Sequence, residues 1–461
     1  MAPSAVPIPE PTDLTTNAIL HKLSEVAHPP AKSANGEATI PAPLDASKTQ
    51  VTRTTAPRPV PLPTSAEVWE TRTCTDHMVT VQWKASTGWE TPQLRPYGPL
   101  SLWPTTSVLH YATECFEGLK AYRGFDGKLR LFRPDRNCAR MLMSATRIAL
   151  PAFPPEEMQK LITHLMAIDG PKWLPESRPG SFIYLRPTMI GTDAALGVRR
   201  PGEAMMFIIA TCFPSFDEPK LDAGPITSVG PLTDVKQAPK AGMKLFASKE
   251  DSIRAWVGGF GYAKLGANYG PTLVAQAEAR ALGYDQVLWL LEPEGYVTEG
   301  GASNFFVVWR TRSGQTQLVT APLDDKIVLD GVTRRSVLDL AKERLATAWT
   351  GDDGPALPGL EIVERKFRMA EVQEAVEEGR MLEAFVSGTA FFITGIRAIH
   401  YRGVELAIPM ANEEKGTGLY AGAVKTWLKN IMYGVESHPW GVVVDEEEGN
   451  VEGEQVVEVE G

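Results

Sequence analysis

Lys264 sits in a run of small residues, Ala255-Trp256-Val257-Gly258-Gly259-Phe260-Gly261-Tyr262-Ala263-Lys264-Leu265-Gly266-Ala267-Asn268-Tyr269-Gly270, with five glycines around it. Glycines admit positive φ and let the backbone approach a ligand closely. A lysine among apolar and small residues loses solvation of its ammonium, and the free amine is a nucleophile for carbonyls. The plainer alternative is an exposed loop lysine. Gly259-x-Gly261 begins a dinucleotide fingerprint, but Lys264 stands where the last glycine belongs and no clear strand precedes it; no GxxxxGK[ST] phosphate loop occurs either. In Val297-Thr298-Glu299-Gly300-Gly301-Ala302-Ser303-Asn304 a glutamate lies between two apolar strands. A carboxylate buried there needs a partner, which is either a turn or cap contact or a protonated ring nitrogen. Leu329-Asp330-Gly331-Val332-Thr333-Arg334-Arg335 places Gly331 and Thr333 where a helix begins. Free amides at such a start suit an anion, the alternative being an ordinary cap with surface arginines. Val386-Ser387-Gly388-Thr389-Ala390 is a turn after an apolar strand that can present amides and hydroxyls; GxSxG is absent, so it is no hydrolase elbow. Phe116-Glu117-Gly118-Leu119-Lys120-Ala121-Tyr122 leads to a helical stretch carrying Arg140, where a surface charge is the default reading.

The elements that must position these residues follow from periodicity. Met78–Trp83, Leu129–Phe132 and Met205–Ala210 read as strands, and Cys138–Leu150 and Pro154–Ala167 as helices. Together they predict a small α+β domain over residues 66–212. Pro214, Pro219, Gly224 and Pro225 give linker composition around an interdomain segment at 213–222. A larger domain spans 223–435, with a helix at Pro271–Leu282, strands at Gln286–Leu291, Asn304–Trp309 and Gln317–Thr320, and a helix at Val332–Leu345. Residues 1–65 are rich in Pro, Ala, Ser and Thr without an apolar period and read as a disordered extension, the alternative being an arm packed on the body. Residues 436–461 form a C-terminal segment whose acidic end, Asp445–Gly461, reads as frayed.

Composition narrows the function classes. With 461 residues, 43% hydrophobic and 22% charged, the chain can build a core without staples. A net charge of −10 argues against nucleic-acid or anionic-membrane surfaces, though not against a local pocket for a small anion. The four cysteines lack CxxC spacing and the seven histidines lack HExxH, so neither disulfides nor a metal site is expected. No apolar run reaches membrane length. The first arginine is Arg53, and Glu10, Asp13 and Glu25 precede it, which favours a cytoplasmic over a mitochondrial reading.

Taken in order, the segments Phe116–Tyr122, Leu131–Arg140, Tyr184–Pro187, Lys264–Gly270, Thr298–Asn304, Gly331–Arg334 and Ser387–Ala390 resemble the branched-chain amino acid aminotransferase family of the fold-type IV pyridoxal-phosphate enzymes. The resemblance spans about Cys74 to Gly434. It implies an α+β / α/β, two-domain, D-amino acid aminotransferase-like fold, with a small α+β domain and a larger, mixed, barrel-like one. It further implies that Lys264 holds pyridoxal 5'-phosphate and shuttles the substrate proton. Tyr269 would bond the ring oxygen and Glu299 the ring nitrogen. Arg140, the amides of Val332 and Thr333, and the Thr389 hydroxyl would bind the phosphate. Tyr111, Phe116, Tyr184, Arg186, Thr389 and Ala390 would meet the substrate. Amino acids, 2-oxo acids and a second copy in a homodimer are the implied partners. Leucine, isoleucine or valine would donate to 2-oxoglutarate by ping-pong turnover. Ala302, Ser303 and Cys74 depart from common family residues, and Phe391 and Thr394 replace a redox CxxC pair. The Cys74 and Ala302 departures motivate one alternative, a same-scaffold transaminase for a non-standard amino acid; a more distant one is a catalytically silent relative, against which Lys264, Glu299, Tyr269 and Arg140 together speak.

Overall fold

The computed structural model describes residues 41–63, 65–214, 242–291, 293–350 and 356–447. Two sheets organise them. The first runs, in spatial order, Gln50–Val51, Gln93–Pro96, Cys74–Lys84, Glu203–Thr211, Phe182–Gly191, Leu119–Arg123, Leu129–Phe132 and Gly441–Val443. Its long central pairings are antiparallel. One face is covered by the helices Pro134–Arg147 and Pro155–Trp173. The first begins with Pro134, whose missing N–H costs nothing at a helix start. It buries Cys138, Met141, Leu142 and Ala145, an apolar stripe at helical spacing. Each large side chain so buried contributes roughly 1.5–3 kcal/mol.

The second sheet closes on itself. Tyr296–Gly300 pairs with Gln286–Leu291, which pairs with Met243–Ala247, then Phe392–Tyr401, Met381–Gly388 and Ser303–Arg310, which returns to Tyr296–Gly300. This six-stranded ring is the expected barrel-like body, and Phe305, Val307, Val386 and Ile396 are among the residues of its core. Val332–Arg344 and Leu419–Met432 pack beside it in a separate core that also takes Tyr122 and Phe132 from the small sheet. That shared core fastens the two domains together.

Two expectations change. From residue 41 the supposed extension is an arm on the small sheet: Leu44 is 2% exposed, Gln50–Val51 pairs with Gln93–Leu94, and Arg58 N–H donates to Asp76 Oδ1 at 2.8 Å. Residues 1–40 lie outside the described residues. The C-terminal segment is a strand at Gly441–Val443 beside Leu129–Phe132, and beyond it Glu446 makes two hydrogen bonds, at 2.7 and 2.5 Å, to the fully buried Arg123. The barrel strand Met243–Ala247 was not expected from periodicity; residues 215–241, most of the 213–222 linker included, lie outside the described residues.

Candidate active site

Lys264 stands where the domains meet. Its carbonyl accepts from Phe116 N–H at 3.1 Å, Leu265 bridges Cys115, and its own N–H donates to Ser144 Oγ at 2.9 Å. The lysine-bearing loop is thus stitched to the small domain although it belongs to the large one. Asn268 holds the loop from within, donating to the carbonyls of Ala263 (2.8 Å) and Phe260 (3.3 Å). The glycines serve close approach more than positive φ. Only Gly258 of the five has φ in that region, whereas a Cβ on Gly261 would lie 2.2 Å from Ile327 O and one on Gly266 2.2 Å from Glu114 Oε2. Lys264 Nζ donates to Tyr269 Oη at 3.2 Å and lies 4.9 Å from the centroid of the Phe116 ring.

Glu299 comes from the Tyr296–Gly300 strand and is 2% exposed. One carboxylate oxygen accepts from Leu329 N–H (3.3 Å) and Asn304 Nδ2 (3.4 Å); the other is ion-paired with Arg254. Burial pushes its carboxyl above the ordinary value, against the pull of Arg254, the Leu329 N–H and Lys264. Sequence reasoning misses Arg254, ten residues before the lysine. It lies just ahead of the glycine run, and no local pattern pairs it with a glutamate 45 positions on.

Arg140 is no surface charge. It is 8% exposed; Nε and Nη2 donate to Glu117 at 2.7 and 2.8 Å, and Nη1 donates to Asp330 O at 2.9 Å. Glu117, fully buried, also accepts from Asn137 Nδ2 (2.8 Å) and Gly118 N–H (3.1 Å). Arg140 thereby bridges the small-domain helix to the loop that opens Val332–Arg344. That helix has no side-chain cap at Gly331, and Val332 and Thr333 are buried in its first turn, which leaves its first amides for an anion. Arg334 is likewise not on the surface; it is fully buried and donates to Ala321 O and Glu364. Thr389 Oγ1 donates to Gly118 O at 3.2 Å, and Asn137, Val332, Thr333 and Thr389 line one cavity.

On the substrate side, the Arg186 guanidinium lies 4.7 Å over the Phe116 ring and donates to Tyr184 Oη at 3.2 Å. Its Nε is buried without a hydrogen-bond partner. Tyr184 stacks on Phe213 at 4.9 Å. Ala390 follows Thr389 in the turn after Met381–Gly388. The structure therefore gathers Lys264, Tyr269, Phe116, Tyr184 and Arg186 on one side, Arg140, Val332, Thr333 and Thr389 on another, and Glu299 behind Leu329. Tyr111 is not among them: it is 37% exposed at the end of the short helix Val108–Tyr111, and its hydroxyl accepts from Gly197 N–H at 2.9 Å. Among the described residues no group of three His, Cys, Asp or Glu is placed to hold a metal, and no helix is long and apolar enough to cross a membrane.

Residues 114–399 match the amino-transferase class IV family model. The chain is 41% identical over 403 residues to the mitochondrial branched-chain-amino-acid aminotransferase of Schizosaccharomyces pombe, covering 87% of this chain and 86% of that one. It is 43% identical over 409 residues to the cytosolic branched-chain-amino-acid aminotransferase of Saccharomyces cerevisiae, covering 87% and 98%. The names of its relatives thus span both compartments. A branched-chain aminotransferase structure from Thermoproteus uzoniensis with norvaline superposes with a TM-score of 0.57 at 22% identity, over 80% of this chain and 99% of that one. A T.th. branched-chain amino acid aminotransferase with pyridoxamine 5'-phosphate gives 0.55 at 23%, over 79% and 98%. The chain belongs to the class IV aminotransferase family, within its branched-chain-amino-acid aminotransferase group.

Proposed function

We propose that this enzyme moves the amino group of L-leucine, L-isoleucine or L-valine to 2-oxoglutarate by a ping-pong cycle on pyridoxal 5'-phosphate. One observation carries the reading: an amine (Lys264), a buried carboxylate (Glu299) and an uncapped helix start beside a buried arginine (Arg140) converge from two domains. Each suits one end of the cofactor, which is amine-reactive, nitrogen-containing and phosphorylated in turn. When bound, the cofactor supplies an electron sink for the pair left as a proton departs from the substrate Cα.

The chain supplies the rest. Lys264 Nζ would accept that proton and return it to the carbon on the far side of the substrate nitrogen, a general acid–base role at contact distance. Tyr269 Oη, at 3.2 Å, orients the amine for it. Glu299, ionised against Arg254, holds a proton on the ring nitrogen. Arg140, the first amides of Val332–Arg344 and Thr389 fix the phosphate. Phe116 and Tyr184 offer an apolar wall to a branched side chain, with Ala390 in the turn opposite. The Arg186 guanidinium, with its unpartnered Nε, offers the distal carboxylate of 2-oxoglutarate a cation in the same place. Tyr111, at the end of the helix Val108–Tyr111, and Leu196 and Val198 on the loop beside it are exposed side chains. We assign them to the interface of a homodimer, reaching the partner's site.

The purified protein is expected to be yellow, and leucine is expected to bleach that absorbance. A visible band that persists in Lys264→Ala, or no band at all, overturns the reading. Turnover of D-amino donors alone would overturn the substrate assignment, and a stable monomer in sedimentation would overturn the dimer.

A further inference from the structure

The short strand Glu114–Phe116 lies antiparallel to Phe182–Gly191, with Glu114 opposite Ile190 and Phe116 opposite Thr188. Side chains alternate across a strand. Cys115, Leu185 and Met189 enter the small-domain core, so Glu114, Phe116, Tyr184 and Arg186 share the other face. That face looks toward Lys264, whose Nζ lies 4.9 Å from the Phe116 ring centroid. Glu114 is half-buried there, and its carboxylate packs on the lysine-bearing loop: a Cβ on Gly266 would lie 2.2 Å from Glu114 Oε2. Burial pushes this carboxyl up, and the charge of Arg186 draws it down. The guanidinium is left open to a ligand. It lies 4.7 Å over Phe116, donates to Tyr184 Oη at 3.2 Å, and has a buried Nε without a hydrogen-bond partner.

This placement bears on how one pocket serves two substrates. A transaminase that takes an apolar side chain in one half-reaction and a distal carboxylate in the other must fit both against the same wall. A cation alone on that wall favours the carboxylate and makes an apolar side chain bear the cost of desolvating it. A carboxylate close enough to feel the cation changes both terms. It offsets Arg186 when the ligand is neutral at that end, and it repels a ligand carboxylate that approaches the guanidinium. Discrimination is a difference of affinities, and a repulsive group is one way to set it.

We propose that Glu114 is a specificity-determining residue: by opposing the charge of Arg186 it holds back ligands with a distal carboxylate and lets branched apolar side chains compete for the same pocket. The proposal rests on the reading that both substrates use the wall of Phe116, Tyr184 and Arg186.

The test compares two acceptors on one aminated enzyme. Holoenzyme is converted with leucine, freed of excess, and mixed with 2-oxoglutarate or with 4-methyl-2-oxopentanoate, the oxo acid of leucine. The return of the yellow absorbance is followed against acceptor concentration. The readout is the ratio of the two second-order rate constants for wild type, Glu114→Gln and Glu114→Asp. Glu114→Gln is expected to shift the ratio toward 2-oxoglutarate about 10-fold, the size of one like-charge neighbour across a partly screened gap. Glu114→Asp, which keeps the charge, should stay near the wild-type ratio. An unchanged ratio in Glu114→Gln, or one that moves toward the apolar acid, overturns the proposal. So does an equal loss for both acceptors, which is what a merely structural role gives. If Glu114→Gln does not fold, Glu114→Ser is scored by the same ratio. Failure of the underlying reading looks different: Arg186→Gln leaves the wild-type ratio unchanged, or wild type regains no colour with either acceptor.

Discussion

At the residue scale, two carboxylates that face cations decide what the site can do. Glu299 is pushed up by burial and drawn down by Arg254. Replacing Arg254 by Met removes the largest downward pull, so the carboxyl moves further up. The role proposed for Glu299, holding a proton on the ring nitrogen, requires its ionised form, so the acid limb of kcat is expected to shift to higher pH. The kcat at neutral pH should fall on the order of 100-fold, with little change in leucine KM; a pH–rate profile checks both. Glu117→Gln leaves Arg140 as a buried charge without its counter-ion. The expected loss is about 3–5 kcal/mol of stability, read by denaturant titration, together with weaker binding of pyridoxal 5'-phosphate. Lys264, Glu299 and Arg140 were legible in the sequence as residue types in a recurring order. Arg254, and Glu117 as the partner of Arg140, were not, because a partner across 45 or 23 positions has no local period.

At the element scale, the described parts of the two end segments, from residue 41 and up to residue 447, run along the small sheet, with Gln50–Val51 and Gly441–Val443 as strands of it. Polar composition hid the arm, since its order comes from a few long-range contacts. Asp76 shows how. Against the cost of burial, the Arg58 N–H, the Lys172 ammonium and the Trp173 indole hold its carboxyl below the ordinary value. A carboxyl lowered in the folded state contributes stability that is present above its unfolded value, near 4, and is lost as pH falls through the lower folded one. Asp76→Asn is therefore expected to cost about 2 kcal/mol at neutral pH and to flatten the acid side of a thermal-stability profile measured from pH 3 to 7. Protease cutting between residues 50 and 60 should rise in the same variant. Helices and strands with clean periods, such as Gln286–Leu291, fell where periodicity put them. The Pro134 start of the Arg140 helix did not, because its apolar stripe begins a turn later.

At the scale of the whole molecule, the site belongs to neither domain. Lys264 is a large-domain residue hydrogen-bonded to small-domain backbone, and Arg140 is a small-domain residue bonded to Asp330. A ligand that fills the cleft must tie the domains together. Pyridoxal 5'-phosphate at a hundred times its Kd should add about 2.7 kcal/mol and make unfolding of the two domains a single calorimetric transition. Two separated transitions in the loaded protein would contradict the shared site.

By itself, the sequence determined the residue types that the proposed chemistry uses: an amine among glycines, a carboxylate between strands, a glycine-led helix start, and the order in which they come. It also determined most of the regular elements, since helical and strand periods are local properties. Only the tertiary structure decided which charges neutralise one another. It closed the barrel through Met243–Ala247, turned Arg140 inward onto Glu117 and set Arg254 against Glu299. The physical reason is that burial and ion pairing are set by residues far apart in the chain, and their energies exist only once the low-dielectric surroundings have been assembled.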